Sequence, residues 1–254
     1  MILTQEPRIE LLQGDCIELL KTLPDNSIDC VITDPPYNIG SKEKLTKVGS
    51  EIKTNSESWG NSFKDEWDSI ESYIDWLLSV FEIINSKLKE TGSIILFLDR
   101  KYTGYLIYMF EKKLQYHFKN KLYFIKNNPL PNFRKNNYRS TIEEAVWFIK
   151  ESKSHFNFSN QNNMKQVFRG NIGSTKQTTH PTEKYEWMIK PLVSNHSYEK
   201  DTILDCFAGS GTTGKIAYDL GRNCIMIEKE PQYCEMITKR ISLLRERMSS
   251  KKLF

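Results

Sequence analysis

The sequence predicts an α/β fold: a doubly wound, mixed but mostly parallel sheet, helices on both faces, and one small inserted segment. Three observations predict it. Short apolar runs such as Ile28-Asp29-Cys30-Val31-Ile32 and Ser93-Ile94-Ile95-Leu96-Phe97-Leu98 are the mark of strands buried on both faces. Between such runs, apolar residues recur at helical spacing, and strands alternating with helices build parallel sheets. The chain has 254 residues, enough for one large domain, or one with a small lobe, and enough to bury roughly 70% of its unfolded surface.

Taken in order, Arg8 to Asp15 reads as a short strand ending at Gly14-Asp15, and Cys16 to Leu20 has helical spacing. Pro24-Asp25-Asn26-Ser27 is a turn. The strand 28–32 then runs into Thr33-Asp34-Pro35-Pro36-Tyr37. From Asn38 to about Asn61 the chain is polar and aperiodic and is expected to be a loop; loops of that length are usually functional or mobile. Asp68-Ser69-Ile70-Glu71 is a helix start with an acidic first turn, and Tyr73, Trp76, Leu77, Val80, Phe81, Ile84 and Leu88 form one buried face. A strand over 92–98, a helix over 102–114, a strand over 122–125, a break over 127–132 and a strand over 143–149 follow. Residues 151–179 are rich in Asn, Gln, Ser and Lys with Phe156, Phe158 and Phe168 interleaved, which makes them the inserted segment. Residues 1–150 and 180–254 then form one domain. Its second part reads as a helix from Glu183, the strand Thr202–Asp205, a glycine loop, a helix from Thr212, the strand Cys224–Glu228 and a closing helix to about Met248.

Composition narrows the function classes. With 39% hydrophobic and 27% charged residues the chain is globular rather than disordered. A net charge of +4 permits a nucleic-acid partner without showing one. No apolar run approaches the ~20 residues of a membrane span, and Met1 to Glu6 have no basic region or signal core. Cys16, Cys30, Cys206, Cys224 and Cys234 are odd in number and form no CxxC pair, as expected of core thiols in a reducing cytoplasm. The four histidines lack metal-ligand spacing, so no metal site is expected.

Two motifs carry chemistry. In Asp34-Pro35-Pro36-Tyr37 each proline fixes φ and lacks an N–H, and the residue before each is held extended. The Asp34 carboxylate and the Pro35 carbonyl can then stand together as acceptors beside the Tyr37 ring. Two acceptors and a ring suit a planar base carrying an exocyclic amino group, stacked on the aromatic face. A surface turn with an incidental Asp also fits the motif taken alone. Asp205-Cys206-Phe207-Ala208-Gly209-Ser210-Gly211-Thr212-Thr213 links a strand to a helix. Glycine allows a sharp turn and close approach, and a helix N-terminus suits a carboxylate or phosphate. About twenty residues on, Glu228 ends the next strand, where an acid can accept a ribose diol. A plain strand-to-helix turn is the alternative, and a nicotinamide oxidoreductase would use a similar loop, although the third glycine is missing. Both motifs fall at strand carboxyl ends of one sheet, where such folds bind ligands.

Together, in this order, they resemble the S-adenosylmethionine-dependent amino-methyltransferases of DNA, β group, a circularly permuted version of a Rossmann-like fold. His180-Pro181-Thr182-Glu183-Lys184 and Tyr138-Arg139-Ser140 with Glu143 to Lys150 resemble that group's motifs at the same places. The resemblance implies methyl transfer from S-adenosylmethionine to a base amine, flipped from the duplex because the helix hides it. Asp-Pro-Pro-Tyr is typical of adenine-N6 enzymes and Ser-Pro-Pro-Tyr of cytosine-N4 enzymes; RNA or protein amines, and a silent DNA-binding subunit, are more distant readings. It implies Asp34, Pro35 and Tyr37 as the catalytic set. It places Asp205, Phe207, Gly209, Ser210 and Gly211 around the methionine part of the cofactor, next to Asp34. Thr212, Thr213 and Lys184 would meet its carboxylate, Glu228 its ribose and Asp15 its adenine amino group. For Asp15 a turn-forming role, and for Lys184 a solvated place at a helix start, remain open. The segment 151–179 corresponds to the group's target-recognition region, and 38–61 would share DNA contact. Arg134 and Arg139 are candidates for base edges, and Lys150 and Arg169 for phosphates. A homodimer and a cognate restriction endonuclease are expectations from the resemblance alone.

Overall fold

In the computed structural model, residues 1–37, 44–48, 51–55, 67, 69–133, 135–173, 178 and 183–251 are described, the stretches 44–48, 51–55 and 247–251 by backbone only. Five parallel strands make the centre of the main sheet: β2 (Arg8–Gln13), β11 (Asn223–Glu228), β10 (Thr202–Asp205), β3 (Ile28–Thr33) and β6 (Leu88–Leu98), in that spatial order. β1 (Ile2–Gln5) flanks β2 antiparallel. Beyond β6 the sheet continues through β8 (Ile142–Ile149), β7 (His117–Lys126) and β9 (Val167–Gly170), giving nine strands. β8 runs antiparallel to both neighbours, so the sheet is mixed but mostly parallel, as the apolar runs imply.

The period-2 rule sorts the strand residues onto two faces. Val31, Ile94, Leu96 and Leu98 pack with α1 (Cys16–Thr22), α2 (Ile70–Lys87) and α3 (Thr103–Leu114). Cys30, Ile32, Ile95 and Phe97 pack with α4 (Glu186–His196), α5 (Thr212–Asp219) and α6 (Pro231–Lys251). Each face therefore carries its own apolar core, and every residue of β3 is buried. Even Asp29 lies inside, where a bare carboxylate would be costly; Lys89 Nζ at 2.6 Å and the Thr202 backbone N–H at 2.9 Å satisfy it. The helix start read at Ser69 is a capping box, with Ser69 and Ser72 each accepting the other's backbone N–H.

The structure differs from the sequence reading in several places. Leu88, read as part of the helical face, opens β6; β7 starts at His117 rather than 122; and α4 starts at Glu186 rather than Glu183. β1 is an edge strand of four residues, too short to show alternation. Within the expected loop 38–61, β4 (Lys44–Val48) and β5 (Glu51–Asn55) pair as an antiparallel hairpin; the rest of that loop lies outside the described residues. The segment 151–179 contributes β9 to the main sheet, parallel to β7. Its earlier part is docked too: Phe156 stacks on Trp147 with centroids 5.0 Å apart, and Asn157 Nδ2 donates to the carbonyls of Ser194 and Ser197. All five cysteines are buried free thiols. Among the described residues no helix is long and apolar enough to cross a membrane.

Candidate active site

From β10 the chain passes to β11 on one side of the sheet, with β2 beyond it, whereas from β3 it passes to β6 on the other. The crevice beyond the carboxyl ends of β10 and β3 is thus a topological switch point, where ligands bind in open α/β sheets. Asp205 ends β10, and Asp34 follows the last residue of β3. Thr33 joins them: its hydroxyl donates to Asp205 Oδ1 at 2.8 Å. The structure therefore brings the two sequence motifs to one place.

At the proline corner, the Tyr37 hydroxyl donates to Asp34 Oδ1. Asp34 Oδ2 lies 2.9 Å from Lys184 Nζ, which also donates to the Tyr37 hydroxyl at 3.3 Å and lies 2.9 Å from Glu143 Oε2. Lys126 Nζ holds the other Glu143 oxygen at 2.6 Å. The Lys184 ammonium sits over the rings of Phe97, at 4.9 Å, and Tyr37, at 5.5 Å, positions favourable to a cation. Burial raises the Asp34 pKa, and Lys184 beside it pulls it back. Burial also opposes charge on Glu143, but Lys184 and Lys126 overcome it and hold its carboxyl down at about 2. Against its own desolvation, Lys184 is held protonated by Asp34, Tyr37 and Glu143. Two carboxylates and two ammonium groups thus balance within one partly closed corner. With only 13% of its side chain exposed, Lys184 is not the solvated lysine that a helix start allows.

The glycine loop is built from beneath. Gly209 and Gly211 have φ of +51° and +72°, a region costly for residues with a Cβ; a Cβ on Gly211 would also meet Ile237 Cγ1 at 2.9 Å. Glu228 organises the loop by accepting the Gly209 N–H at 2.8 Å and the Glu230 N–H at 2.9 Å. A carboxylate has about four lone-pair directions, and with the Lys229 N–H also bonded to it Glu228 retains the capacity to accept about one further donor, such as a hydroxyl of a diol. Arg240 on α6 donates to the Ser210 carbonyl, to Thr212 Oγ1 and to Glu183 Oε1, all from Nη1. The Ser210 and Thr212 hydroxyls lie 3.0 Å apart and are buried, and Thr212 Oγ1 also donates to the Lys184 carbonyl. Both hydroxyls therefore serve the loop itself. Thr213 is buried at the start of α5, and its hydroxyl bonds Asp205. Phe207 is half-buried, 5.6 Å from Trp76. Burial lifts Asp205 to about 6, despite hydrogen bonds from Thr213, Thr33 and the Phe207 N–H. Asp15 is the N-cap of α1, accepting the Ile17 N–H at 3.0 Å, and stays half-exposed beside the Glu228 strand end, where Gly14 N–H meets the Glu228 carbonyl.

The basic candidates separate. Lys150 is a correction: its ammonium donates to the carbonyls of Asn85 and Leu88 at 2.7 and 2.8 Å, satisfying the C-terminal end of α2, and is committed there rather than facing solvent. Arg139 braces its own loop through the carbonyls of Pro129 and Leu130. Arg169 is exposed on β9. Arg134 lies outside the described residues. Arg139 and Lys126 line an open cleft of about 420 Å³ with Arg100, Leu130 and Tyr138; Tyr138 is 95% exposed and Leu130 74%. Because Lys126 is also paired with Glu143, this cleft adjoins the proline corner.

Arg240 was not singled out by the sequence; Lys126 was a candidate phosphate contact and Glu143 part of a motif, and neither was expected to belong to the ion-pair cluster at Asp34. Glu143 pairs with Phe124 in the register of β7 and β8, and Lys126, two residues along β7, reaches it diagonally, a contact that only the sheet register reveals. Arg240 had no local signal, being one basic residue on a charged helix.

Residues 28–239 match the N6/N4 family model described as DNA methylase. The chain is 32% identical to the type II methyltransferase M.HinfI of Haemophilus influenzae, over 91% of this chain and 67% of that protein. It is 27% identical to the type II methyltransferase M2.LlaDCHI of Lactococcus lactis subsp. cremoris, over 91% and 88%. Among solved structures, the cytosine-N4-specific PvuII DNA methyltransferase aligns with a TM-score of 0.74 at 19% identity, over 94% of this chain and 92% of that one. M1.HpyAVI in complex with SAM aligns with a TM-score of 0.68 at 24% identity, over 91% and 99%.

Proposed function

Since the chain belongs to the N6/N4 DNA methylase family, we propose that it is a site-specific DNA methyltransferase acting on N6 of a flipped adenine, with S-adenosylmethionine as methyl donor. The observation that carries this reading is the Asp34 carboxylate set beside Tyr37 at the switch point, joined through Thr33 to the glycine loop. The carboxylate at the first motif position is what favours adenine over cytosine.

The residues we assign to the cofactor are Asp205, Phe207, Gly209, Ser210, Gly211, Thr213 and Glu228, with Asp15 at the adenine end, Thr212 supporting from within and Asp34 beside the reacting methyl; Lys184 leaves this set, because Asp34, Tyr37 and Glu143 engage its ammonium. The donor set fits: two buried carboxylates, loop N–H groups at a helix N-terminus, and an aromatic side chain. When bound, S-adenosylmethionine supplies an electrophilic methyl on a positively charged sulfur.

The chain's own residues do the rest. The amine lone pair of adenine is conjugated with its ring, which makes it a poor nucleophile. Asp34 and the Pro35 carbonyl, accepting the two amine hydrogens, favour a pyramidal nitrogen whose lone pair is free. A carboxylate is far too weak a base to deprotonate that amine first, so Asp34 acts electrostatically. As positive charge develops on nitrogen, Asp34 stabilises the transition state more than the ground state. Tyr37 gives the flipped base a surface to stack on. The cleft with Arg139 and Tyr138, with Arg169 at the sheet edge and the segment 151–179, is the proposed DNA face, Arg134 included.

The test is incubation of the protein with unmethylated plasmid DNA and labelled S-adenosylmethionine, followed by mass analysis of the nucleosides. N6-methyladenine is expected. N4-methylcytosine would move the specificity to the other branch, and no label in DNA would end the reading.

A further inference from the structure

We propose that Lys184 and Glu143 form a gate at the amine clamp. Lys184 holds the Asp34 carboxylate until a target base enters, then passes to Glu143 as the base amine takes its place. The gate rests on reading the corner as an amine clamp.

Both Asp34 oxygens are already engaged, Oδ1 by the Tyr37 hydroxyl and Oδ2 by Lys184 Nζ at 2.9 Å. Lys184 thus presents an N–H donor to the acceptor that the substrate amine requires. An incoming amine must displace it, and breaking a buried ion pair one-sidedly is expensive. Glu143 removes that cost. Its Oε2 is also 2.9 Å from Lys184 Nζ, yet it accepts no hydrogen bond of good geometry. It is therefore an ion-pair partner already in reach, which a small rotation of the ammonium turns into an aligned acceptor. Lys126 fixes Glu143 through the other oxygen at 2.6 Å, aiming Oε2 at the corner. The ring of Phe97 lies 4.9 Å from the ammonium and gives the cation a favourable surface beside both carboxylates.

The backbone of Lys184 stays still in this movement, because its carbonyl accepts Thr212 Oγ1 from the glycine loop. Only the side chain moves. Once the ammonium rests on Glu143, the Asp34 charge is released to face the charge developing on the amine. Glu143 and Lys184 are accordingly positioning residues, acting through Asp34. The charged and titratable groups facing Asp34 are Tyr37 from its own corner, Lys184 ahead of α4, Glu143 from β8 and Asp205 from β10, with Lys126 from β7 behind Glu143.

The experiment compares wild type, Lys184→Met, Lys184→Arg and Glu143→Gln as full chains. Cofactor affinity is measured by calorimetry without DNA. Single-turnover methyl transfer to unmethylated plasmid DNA is measured against pH. Lys184→Met is expected to keep cofactor affinity and to move the acid limb up by about 1–3 pH units, since Asp34 loses its cation. Lys184→Arg is expected to keep the limb in place. Glu143→Gln is expected to move the limb down, because a negative neighbour of Asp34 is gone. It should also raise the DNA concentration for half-maximal rate by about tenfold or more, because the ammonium has lost its second partner. The near-isosteric Glu143→Gln carries the test should Lys184→Met not fold. Limbs that stay fixed or move together in an active series overturn the gate, as does a tenfold loss of cofactor affinity in Lys184→Met. A wild type that labels no DNA overturns the methyltransferase reading instead.

Discussion

Thr33 and Asp205 stand 172 positions apart in the chain, yet the Thr33 hydroxyl reaches the Asp205 carboxylate at 2.8 Å. This bond couples the end of the strand bearing the amine clamp to the root of the cofactor loop. It also sits on a carboxylate whose pKa burial raises from 3.8 to about 6. A raised folded pKa means that the native state holds the proton more tightly than the unfolded chain. Stability from this group is therefore present at low pH and falls as pH rises from about 4 to 6, by on the order of 3 kcal/mol. Chemical denaturation of wild type and Asp205→Asn at pH 4 and pH 7 is expected to show a loss larger in wild type than in the variant by that amount. Cofactor affinity should run the other way, weakening below about pH 6 in wild type and being lost in the variant.

Asp34→Ala is expected to lower the methyl-transfer rate by about 10²–10³, the cost typical of one key electrostatic group, with cofactor affinity retained. Single-turnover kinetics beside cofactor titration checks this. An unchanged rate would remove Asp34 from the chemistry.

Tyr138 is almost fully exposed beside the cleft that adjoins the clamp. A large aromatic side chain so placed is suited to stacking on bases of the opened duplex, worth about 1–3 kcal/mol per base. Tyr138→Ala is expected to cost about tenfold or more in rate on duplex at limiting DNA, and less on single-stranded DNA of the same sequence. Equal losses on both substrates would argue against a role in opening the duplex.

Lys150 and Arg169 should part company. Lys150→Ala removes two charge-assisted bonds at the end of α2 and is expected to cost about 1.5–3 kcal/mol of stability, leaving the salt dependence of DNA binding alone. Arg169→Ala is expected to leave stability alone and to reduce the slope of log affinity against log salt by about one. Denaturation curves and a salt series on the same DNA distinguish them.

Much of the architecture was legible because burial on both faces writes itself as mostly apolar runs, even where a polar residue such as Asp29 interrupts one. β3, β6, β8, β10 and β11 all announced themselves that way, and the helices by their spacing. β9 did not, since Val167-Phe168-Arg169-Gly170 is short, half-exposed and held by its neighbour β7 rather than by local preference. In the site, residues beside glycines and prolines were readable because those residues constrain the backbone locally. The partners of Asp34 were not. Lys184 lies 150 residues away in sequence, and Glu143 reaches it only through the register of β8. Lys150 misled for the complementary reason: a lysine looks alike in sequence whether it meets a phosphate or a helix end.

The central position of β10 bears on how the molecule is made. Its neighbours are β3, synthesised long before it, and β11, synthesised after it. On the ribosome, β3 must therefore wait with one backbone edge unpaired until some 170 further residues have emerged. Non-local pairings of this kind fold slowly and leave hydrogen-bonding edges exposed meanwhile. A nascent chain stalled before β10 lacks both the middle of its sheet and the loop that Thr33 anchors, so truncated products should be substrates for chaperones and proteases rather than partly working enzymes.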